Sequence, residues 1–181
     1  MHLKTAVDTL CHGGVIACPT EAVWGLSCDP YCEDAVEHLL TLKMRPAFKG
    51  LILVAASQEQ VAFLLGDLSE KQAAMLSETW PGPNTWLVPH QGLIPENVCG
   101  DHEKVAVRVS AHPVVKALCE SFGGPLVSTS ANRAGARPAL HAFQVRRYFG
   151  DGLDYVLPGR LGARARPSTI RDLASGEILR D

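Results

Sequence analysis

The chain has 181 residues, 46% of them hydrophobic, and a formal net charge of −2. This length suits one hydrophobic core better than two, so we expect a single domain over residues 1–181. The slightly acidic balance excludes a global positive field of the kind that draws proteins to nucleic acid or anionic membranes. No apolar run is long enough to cross a bilayer, and the N-terminal segment lacks a signal-peptide pattern. The sequence therefore predicts a cytoplasmic protein that does not contact a membrane.

The six cysteines include no CxxC pair and lie singly, in apolar stretches or near turns. In a chain of this size, that distribution favours reduced, packed thiols over disulfides. Cys28, Cys32 and His38 are the one combination that suggests a metal site, but a fourth ligand at suitable spacing is missing. We therefore expect no metal ligands among the protein side chains.

The N-terminal part is predicted to form a helix followed by two strands. Apolar residues recur at helical spacing over residues 3–11, and apolar segments follow at residues 15–18 and 23–28. Thr20 and Glu21 lie between these segments, which places a hydroxyl and a carboxylate at a strand end. Glu21 is a candidate general base, although pairing with a nearby cation is the simpler expectation.

Three positive side chains lie between the second predicted helix and the third predicted strand. The helix has its apolar stripe over residues 35–42, and Pro46 biases the residue before it out of helical geometry. The strand follows at residues 51–55. The connection between them carries Lys43, Arg45 and Lys49.

The middle of the chain is predicted to be mainly scaffold. Two Ser-x-x-Gln segments, at residues 57–60 and 69–72, are typical of capping boxes that open short helices. A strand is expected over residues 85–88, behind a turn rich in proline and glycine. Residues 91–103 have no clear periodicity and are predicted to form a surface loop.

The strand predicted at residues 105–109 alternates valines with other residues and so has one strongly apolar face. Arg108 lies on the opposite face, where a charged side chain needs water, a partner or an anion. Pro113 suits the first position of a helix that continues to about residue 122.

Residues 125–132 form a short apolar run that ends in small polar side chains. Leu126 and Val127 suit a buried strand, and Ser128, Thr129, Ser130 and Asn132 follow at its end. The end of a parallel strand in an α/β sheet is the usual place for ligands. The alternative is that these side chains merely cap the next helix.

The C-terminal part is predicted to contain a helix over residues 143–149 and a short strand at 155–157. A terminal hairpin is expected to pair residues 168–172 with residues 177–180 around a turn at 174–176.

Strands that alternate with helices predict an α/β sheet covered by helices, with polar residues gathered at strand ends. Those residues are cations, hydroxyls and an amide, which can hold a polyanion while one bound group attacks another. The absence of GxxxxGK[ST] excludes a P-loop. The gathered set is Thr20, Lys43, Arg45, Lys49, Arg108, Ser128, Ser130, Asn132, Ser168 and Arg180.

Three motifs together resemble the YrdC-like threonylcarbamoyl-AMP synthases, also called TsaC, in their single-domain form. The resemblance extends from about residue 6 to residue 180, and the combined spacing is far more specific than any single motif. It implies an open, twisted, mixed α/β sheet (α+β in some classifications) with a concave basic face. The motifs are Pro19-Thr20-Glu21, Lys43-x-Arg45, and Ser130-x-Asn132 within Ser-Thr-Ser-Ala-Asn.

The resemblance also implies a function. Members of this family form L-threonylcarbamoyl-AMP and pyrophosphate from L-threonine, bicarbonate or carbon dioxide, and ATP with Mg²⁺. The product serves the threonylcarbamoyl modification of adenosine 37 (t6A) in tRNA, so the expected partners are tRNA threonylcarbamoyl-transfer proteins that bind transiently. The Mg²⁺ is expected to enter with ATP and not on protein side chains.

Site roles follow from the matched motifs. Lys43 and Arg45 are expected to be catalytic, because they flank the ATP phosphates. Threonine is expected to contact Thr20, Arg108, Ser128 and Ser168, with the Arg108 fork on its carboxylate. ATP is expected to contact Lys43, Arg45, Lys49, Ser130, Asn132 and Arg180.

An alternative from a different class is a non-catalytic module that binds double-stranded RNA or tRNA. Arginines can hold phosphates without catalysis, but the net charge is acidic and no aromatic-rich platform or RNA motif is visible. RNA binding is therefore expected to be weak or secondary. A lyase on the same sheet would need an acidic metal cluster that the sequence does not provide. The arginines concerned are Arg133, Arg137, Arg146, Arg147, Arg160, Arg164 and Arg166.

Overall fold

A computed structural model describes residues 1–66, 68–163 and 168–180. Over these ranges the chain folds as an α/β structure in which helices cover one mixed sheet, as the sequence predicts. The strands are β1 (Ile16–Pro19), β2 (Trp24–Ser27), β3 (Ile52–Ala55), β4 (Asn84–Pro89), β5 (Lys104–Val109), β6 (Leu126–Ser130), β7 (Tyr155–Val156), β8 (Thr169–Asp172) and β9 (Ile178–Arg180). The α-helices are α1 (His2–Cys11), α2 (Glu33–Lys43), α3 (Glu70–Thr79), α4 (Glu96–Cys99), α5 (Pro113–Phe122) and α6 (Ala142–Phe149). Short 3₁₀ helices span Ala47–Lys49, Glu59–Leu64 and Gly150–Gly152.

The strands are arranged in the order β7-β1-β2-β6-β3-β5-β4-β8-β9. The C-terminal hairpin β8–β9 forms one edge of the sheet, and β7 forms the other edge beside β1. Strands from both ends of the chain therefore share one sheet. The single domain over residues 1–181 stays a prediction. None of the described helices is both long and apolar enough to span a membrane.

Strand β6, which carries the polar cluster, runs antiparallel to both of its neighbours, β2 and β3. The expectation that these polar side chains end a parallel strand is therefore wrong. The strand itself and the polar residues at its end are as predicted. Strand direction depends on partners far away in sequence, and the residues of one strand do not encode it.

Both faces of the sheet are covered at β1, β3 and β6, because alternate residues of these strands enter two different cores. In and next to β1, Val15 and Ala17 pack in one core, whereas Ile16 and Cys18 pack in the other. Successive strand residues point to opposite faces, so an unbroken apolar run indicates a sheet covered on both sides. Helices α1 and α5 contact each other over the second core.

The two predicted capping boxes have different outcomes. At α3 the box is present: the Ser69 side chain accepts from the backbone of Gln72, and the Gln72 side chain accepts in return from Ser69. At residues 57–60 the prediction is wrong. There Gln60 accepts from the Ala56 backbone and donates to the Cys119 carbonyl oxygen, both at 2.8 Å. The Gln60 side chain therefore bonds to a nearby residue outside the box and to a distant one.

The segment predicted as a surface loop, residues 91–103, contains the short helix α4. Val98 and Cys99 of this helix are buried, and α4 contacts the 3₁₀ helix Ala47–Lys49. Just after the 3₁₀ helix, the Leu51 backbone nitrogen donates to the Val98 carbonyl oxygen (2.7 Å). Helix α4 therefore supports the connection that carries the predicted cations.

We expect Gly100→Ala to destabilise the protein more than Gly92→Ala. Both glycines have positive φ, +65° and +75°, so alanine at either position adds a backbone strain of about 1–3 kcal/mol. A Cβ at Gly100 would also lie 2.5 Å from the carbonyl oxygen of Phe48, whereas a Cβ at Gly92 meets nothing within 4 Å. The clash should cost about 2 kcal/mol more in the free energy of unfolding by urea. Equal losses in the two variants would contradict this packing.

Candidate active site

Seven of the ten predicted site residues line one cavity of about 280 Å³. The cavity walls come from the connection after β1, the connection between α2 and β3, strands β5 and β6, and the C-terminal hairpin. Folding therefore brings together segments that are far apart in sequence. The seven residues are Thr20, Arg45, Arg108, Ser128, Ser130, Ser168 and Arg180.

Strand geometry directs the hydroxyls of β6 toward the cavity. Ser128 and Ser130 are two residues apart, so their side chains share one face of the sheet. On the neighbouring strand β2, Gly25 pairs with Ser130 and also lines the cavity. A Cβ at Gly25 would lie 3.1 Å from Thr20 Cγ2 and 3.3 Å from the Thr129 carbonyl oxygen. The absent side chain keeps this part of the cavity open, a role that the sequence patterns did not identify.

Two guanidinium groups, from Arg45 and Arg180, line the same opening. Arg45 donates to the carbonyl oxygens of Gly50 (2.8 Å) and Lys49 (3.2 Å), and Arg180 donates to that of Ser168 (3.3 Å). Burial, together with the positive charge of Arg180, lowers the pKa of Arg45 from its ordinary value. Backbone carbonyls thus hold two like charges side by side, and an anion between them would relieve their repulsion.

Arg108 is buried and forms an ion pair. Its Nη2 lies 3.2 Å from Oε2 of Glu21, and Oε1 of Glu21 accepts a hydrogen bond from Ser110 Oγ at 2.6 Å. The expectation that Glu21 pairs with a nearby cation is confirmed. Arg108 also lines the cavity, and its predicted contact with a substrate carboxylate stays a prediction.

Two further hydroxyls of the cavity are held in place by hydrogen bonds. Thr20 Oγ1 donates to the Val23 carbonyl oxygen (2.8 Å), and Ser168 Oγ lies 2.8 Å from Thr85 Oγ1. Thr85 is fully buried at the start of β4. The sequence patterns did not single it out, because a threonine in an apolar strand has no distinctive signal.

Lys43 and Asn132 lie next to the end of β6 and are not part of the cavity lining. The Lys43 Nζ donates to the carbonyl oxygens of Ser130 and Asn132, where β6 ends. The Asn132 side chain donates to the carbonyl oxygens of Arg133 (3.0 Å) and Ala136 (2.9 Å). Burial, with the charge of Arg45 adding to it, lowers the pKa of Lys43 to about 8. Lys43 is therefore a buried cation directly below the residues that the sequence assigns to ATP.

Lys49 lies in a different environment. Its side chain is exposed, and its Nζ lies 5.9 Å from the centroid of the Phe48 ring. It lines a neighbouring cavity of about 650 Å³ that shares Arg45 and Arg180 with the first one. Lys49 can therefore reach only the outer part of a ligand that extends across these two arginines.

The other predicted groups that the structure describes are not part of the cavity lining. Cys28 and Cys32 form no disulfide, and His38 Nε2 contacts the Gly152 carbonyl oxygen at 2.8 Å. Arg164 and Arg166 lie outside the described residues. The remaining arginines of the proposed RNA-binding set are exposed: Arg133, Arg137, Arg146, Arg147 and Arg160.

Sequence comparisons give the same family. The Sua5/YciO/YrdC family model, described as telomere recombination, matches residues 8–181. A threonylcarbamoyl-AMP synthase of Stutzerimonas stutzeri is 60% identical over 168 residues, which are 93% of this chain and 90% of that protein. A threonylcarbamoyl-AMP synthase of Saccharophagus degradans is 58% identical over 179 residues, 98% of this chain and 93% of that protein.

A solved structure agrees with these matches. The crystal structure of P. abyssi Sua5 complexed with L-threonine superposes with a TM-score of 0.90 at 30% sequence identity, over 97% of this chain. This chain spans about half, 52%, of that protein's length. By sequence and by fold, the chain belongs to the Sua5/YciO/YrdC family.

Proposed function

We propose that the protein is a threonylcarbamoyl-AMP synthase, which joins L-threonine, carbon dioxide derived from bicarbonate, and ATP into L-threonylcarbamoyl-AMP and pyrophosphate. The observation that carries this proposal is a single cavity in which hydroxyls and a buried arginine lie beside two further guanidinium groups. The relatives named for this activity cover nearly the whole chain, which supports it.

The amino-acid end of the cavity is formed by Arg108 and the hydroxyls of Thr20, Ser128 and Ser168. A guanidinium fork binds a carboxylate through paired hydrogen bonds, and the hydroxyls can bind the hydroxyl and amine of threonine. A volume of about 280 Å³ is at the small end of ligand pockets. This size suits an amino acid next to part of a nucleotide.

The phosphate end is formed by Arg45 and Arg180, with Ser130 beside them. Negative charge grows on the leaving pyrophosphate as its bond to the α-phosphorus breaks. The two guanidinium groups are already held by backbone carbonyls, so they stabilise this charge without reorganising. Electrostatic stabilisation is therefore the main contribution of this end of the cavity.

The reaction has two steps, and in both the chain acts by positioning. The neutral amine of threonine forms a C–N bond to carbon dioxide and loses a proton, which gives a carbamate. A carbamate oxygen then forms a bond to the α-phosphorus of ATP, and the bond to the bridging oxygen of pyrophosphate breaks. The scheme needs no protein nucleophile, in keeping with a cavity lined by hydroxyls and cations.

Mg²⁺ fits this scheme as part of the nucleotide substrate. The part of the chain that the structure describes has no group of three or more His, Cys, Asp or Glu side chains able to hold a metal. Glu21, a carboxylate of the cavity lining, is already paired with Arg108. Because Mg²⁺ is commonly held by substrate phosphates and few protein ligands, it would enter with ATP and neutralise part of the triphosphate charge.

The product is a mixed anhydride of a carbamic acid and AMP, so it must be consumed quickly by a transfer reaction. We assign that step to cytoplasmic tRNA threonylcarbamoyl-transfer proteins acting on adenosine 37, which bind this enzyme transiently. Weak contact with tRNA through the exposed arginines is compatible with this order of events.

The proposed function is tested by measuring pyrophosphate release with each substrate omitted in turn. Release should require L-threonine, bicarbonate and ATP together, and it should stop when EDTA removes Mg²⁺. Tight tRNA binding with no pyrophosphate release under these conditions would favour the RNA-binding module instead.

Lys49→Ala is expected to raise the KM for ATP by less than about fivefold, because exposed charges are screened and contribute about 0–1 kcal/mol. The small increase should disappear at high salt. Steady-state kinetics at saturating threonine measure it. A 50-fold increase would place Lys49 inside the site with Arg45, contrary to its exposed position.

A further inference from the structure

A series of three connected side chains leads from the protein interior to the cavity. Ser110, fully buried directly after β5, donates from Oγ to Oε1 of Glu21 at 2.6 Å. Oε2 of Glu21 lies 3.2 Å from Nη2 of Arg108. Glu21 and Arg108 line the cavity, whereas Ser110 does not. Ser110 can therefore influence a bound ligand only through the other two.

The position of Ser110 is fixed by backbone on two sides. Its nitrogen donates to the Ala55 carbonyl oxygen of β3 (3.0 Å), and its Oγ accepts from the His112 backbone nitrogen (3.1 Å) at the start of α5. A hydroxyl has one proton to donate. The Glu21 carboxylate can only accept, so this proton is directed to it.

The backbone of Glu21 is held from the opposite side by the segment that follows β7. Gly162 donates from its nitrogen to the Thr20 carbonyl oxygen at 2.9 Å. A Cβ at Gly162 would lie 2.8 Å from the carbonyl oxygen of Glu21 and 2.9 Å from its Cα. Two separate segments therefore contact Glu21, Gly162 at its backbone and Ser110 at its carboxylate.

We infer that Ser110 and Glu21 are positioning residues that fix the orientation of the Arg108 guanidinium and so set the affinity for the carboxylate of the amino-acid substrate. The inference rests on the proposed function, because it assumes an amino acid at this end of the cavity. A guanidinium presents its N–H donors in one plane. The ion pair between Nη2 and Oε2 of Glu21, at 3.2 Å, limits the orientations that this plane can take toward the cavity.

The charge of Glu21 makes this orientation important. Glu21 neutralises Arg108, so a carboxylate gains little from net charge at this end and depends on well-directed hydrogen bonds. Arg45 and Arg180 are instead held by backbone carbonyls and keep their net positive charge. The triphosphate is therefore drawn to the end opposite the Glu21–Arg108 pair, and the two substrates are kept in separate places.

The main test uses Ser110→Ala, which removes one hydroxyl from a site outside the cavity. We expect the dissociation constant and the KM for L-threonine to rise about tenfold, while kcat and the KM for ATP stay within about twofold. Calorimetry with L-threonine alone gives the dissociation constant, and pyrophosphate release gives the kinetic values. Ser27→Ala is the matched control, because Ser27 is also buried but contacts Cys18 (Oγ to Sγ, 3.9 Å).

A double-mutant cycle separates positioning from a general loss of packing. Glu21→Gln should also weaken threonine binding by about tenfold, because losing the ion pair that orients the guanidinium outweighs the net positive charge that Arg108 gains. Adding Ser110→Ala to Glu21→Gln should then have no further effect on threonine binding, because the effect of Ser110 on the ligand passes through Glu21. An undiminished effect of Ser110→Ala in the Glu21→Gln background would overturn the inference.

A second perturbation reaches Glu21 without removing any polar group. Gly162→Ala should push on the Glu21 backbone and weaken threonine binding, whereas Gly124→Ala, whose Cβ meets nothing within 4 Å, should not. Unchanged threonine binding in both Ser110→Ala and Gly162→Ala would overturn the inference even if the wild-type enzyme is active. Absence of threonine-dependent pyrophosphate release in the wild type would instead reject the proposed function. Absence of threonine binding to the wild type would reject both.

Discussion

Arg45→Ala is expected to reduce pyrophosphate release by about 100- to 1,000-fold, the range seen when one preorganised group that stabilises developing charge is removed. Arg45 lines the cavity and is fixed by the carbonyl oxygens of Gly50 and Lys49. It is only half-buried, so the fold should survive the substitution, with about 1 kcal/mol lost for the hydrogen bonds. Pyrophosphate release and urea unfolding measure the two quantities.

Two control variants define the cause of that loss. Arg45→Lys keeps the charge but not the planar fork, and it should recover part of the activity. Arg147→Ala removes an arginine from the exposed side of α6, and its activity should match the wild type. Normal activity in Arg45→Ala would refute the assignment of Arg45 to the phosphates.

Lys43→Met is expected to reduce pyrophosphate release about 100-fold, because it removes a positive charge next to the phosphate end and frees the end of β6. Nζ of Lys43 donates to the carbonyl oxygens of Ser130 and Asn132, which the methionine cannot do. Stability at neutral pH should change by only about 1 kcal/mol, because the lost hydrogen bonds are offset by relief from burying a charge. Lys71→Met, on the exposed side of α3, is the control.

The lowered pKa of Lys43 also predicts a specific pH dependence. Between about 8 and its ordinary value of 10.5, the unfolded chain keeps the proton that the folded protein has released. The unfolded state then binds more protons, so stability rises with pH across this window. The unfolding free energy of the wild type minus that of Lys43→Met should therefore increase from pH 8 to pH 10. Other titrating groups cancel in this difference.

The affinity for ATP, in contrast to the stability, should fall as the pH rises. As pH rises through about 8, Lys43 loses its charge, so the wild type should bind ATP more weakly, and Lys43→Met should lack this decrease. Calorimetry with ATP in the absence of threonine measures it without interference from the threonine amine. A wild-type affinity that is constant between pH 7 and pH 9 would contradict the lowered pKa.

Regular elements were predictable wherever local chemistry decides them. The helical spacing that predicts α1, the proline that opens α5 and the serine–glutamine box at α3 are all confirmed. The same box at residues 57–60 fails, because Gln60 finds better partners in Ala56 and Cys119. Helix α4 was missed since its four residues are too few to show a period and are ordered by contact with a distant segment.

The residues of the candidate site also divide into those with a local sequence signal and those placed by tertiary contacts. Hydroxyls directly after short apolar runs were a usable signal for Thr20 and Ser128, and the same signal was present at Ser110 without being used. An ion pair between Glu21 and a nearby cation was predicted, but the sequence did not identify Arg108 as that cation. Nothing local identified Gly25, whose role is to leave space between two other segments.

The sequence by itself determined the family motifs, most of the helices and strands, and the chemical types of the site residues, because these depend on neighbouring side chains and on spacing. Tertiary structure decided where each cation points. Met44 adopts a left-handed conformation, φ 52°, between Lys43 and Arg45, and the two neighbours diverge: Lys43 is buried beneath the end of β6, and Arg45 enters the cavity. Only the packed sheet fixes that choice, because the groups that receive the two cations come from different parts of the chain.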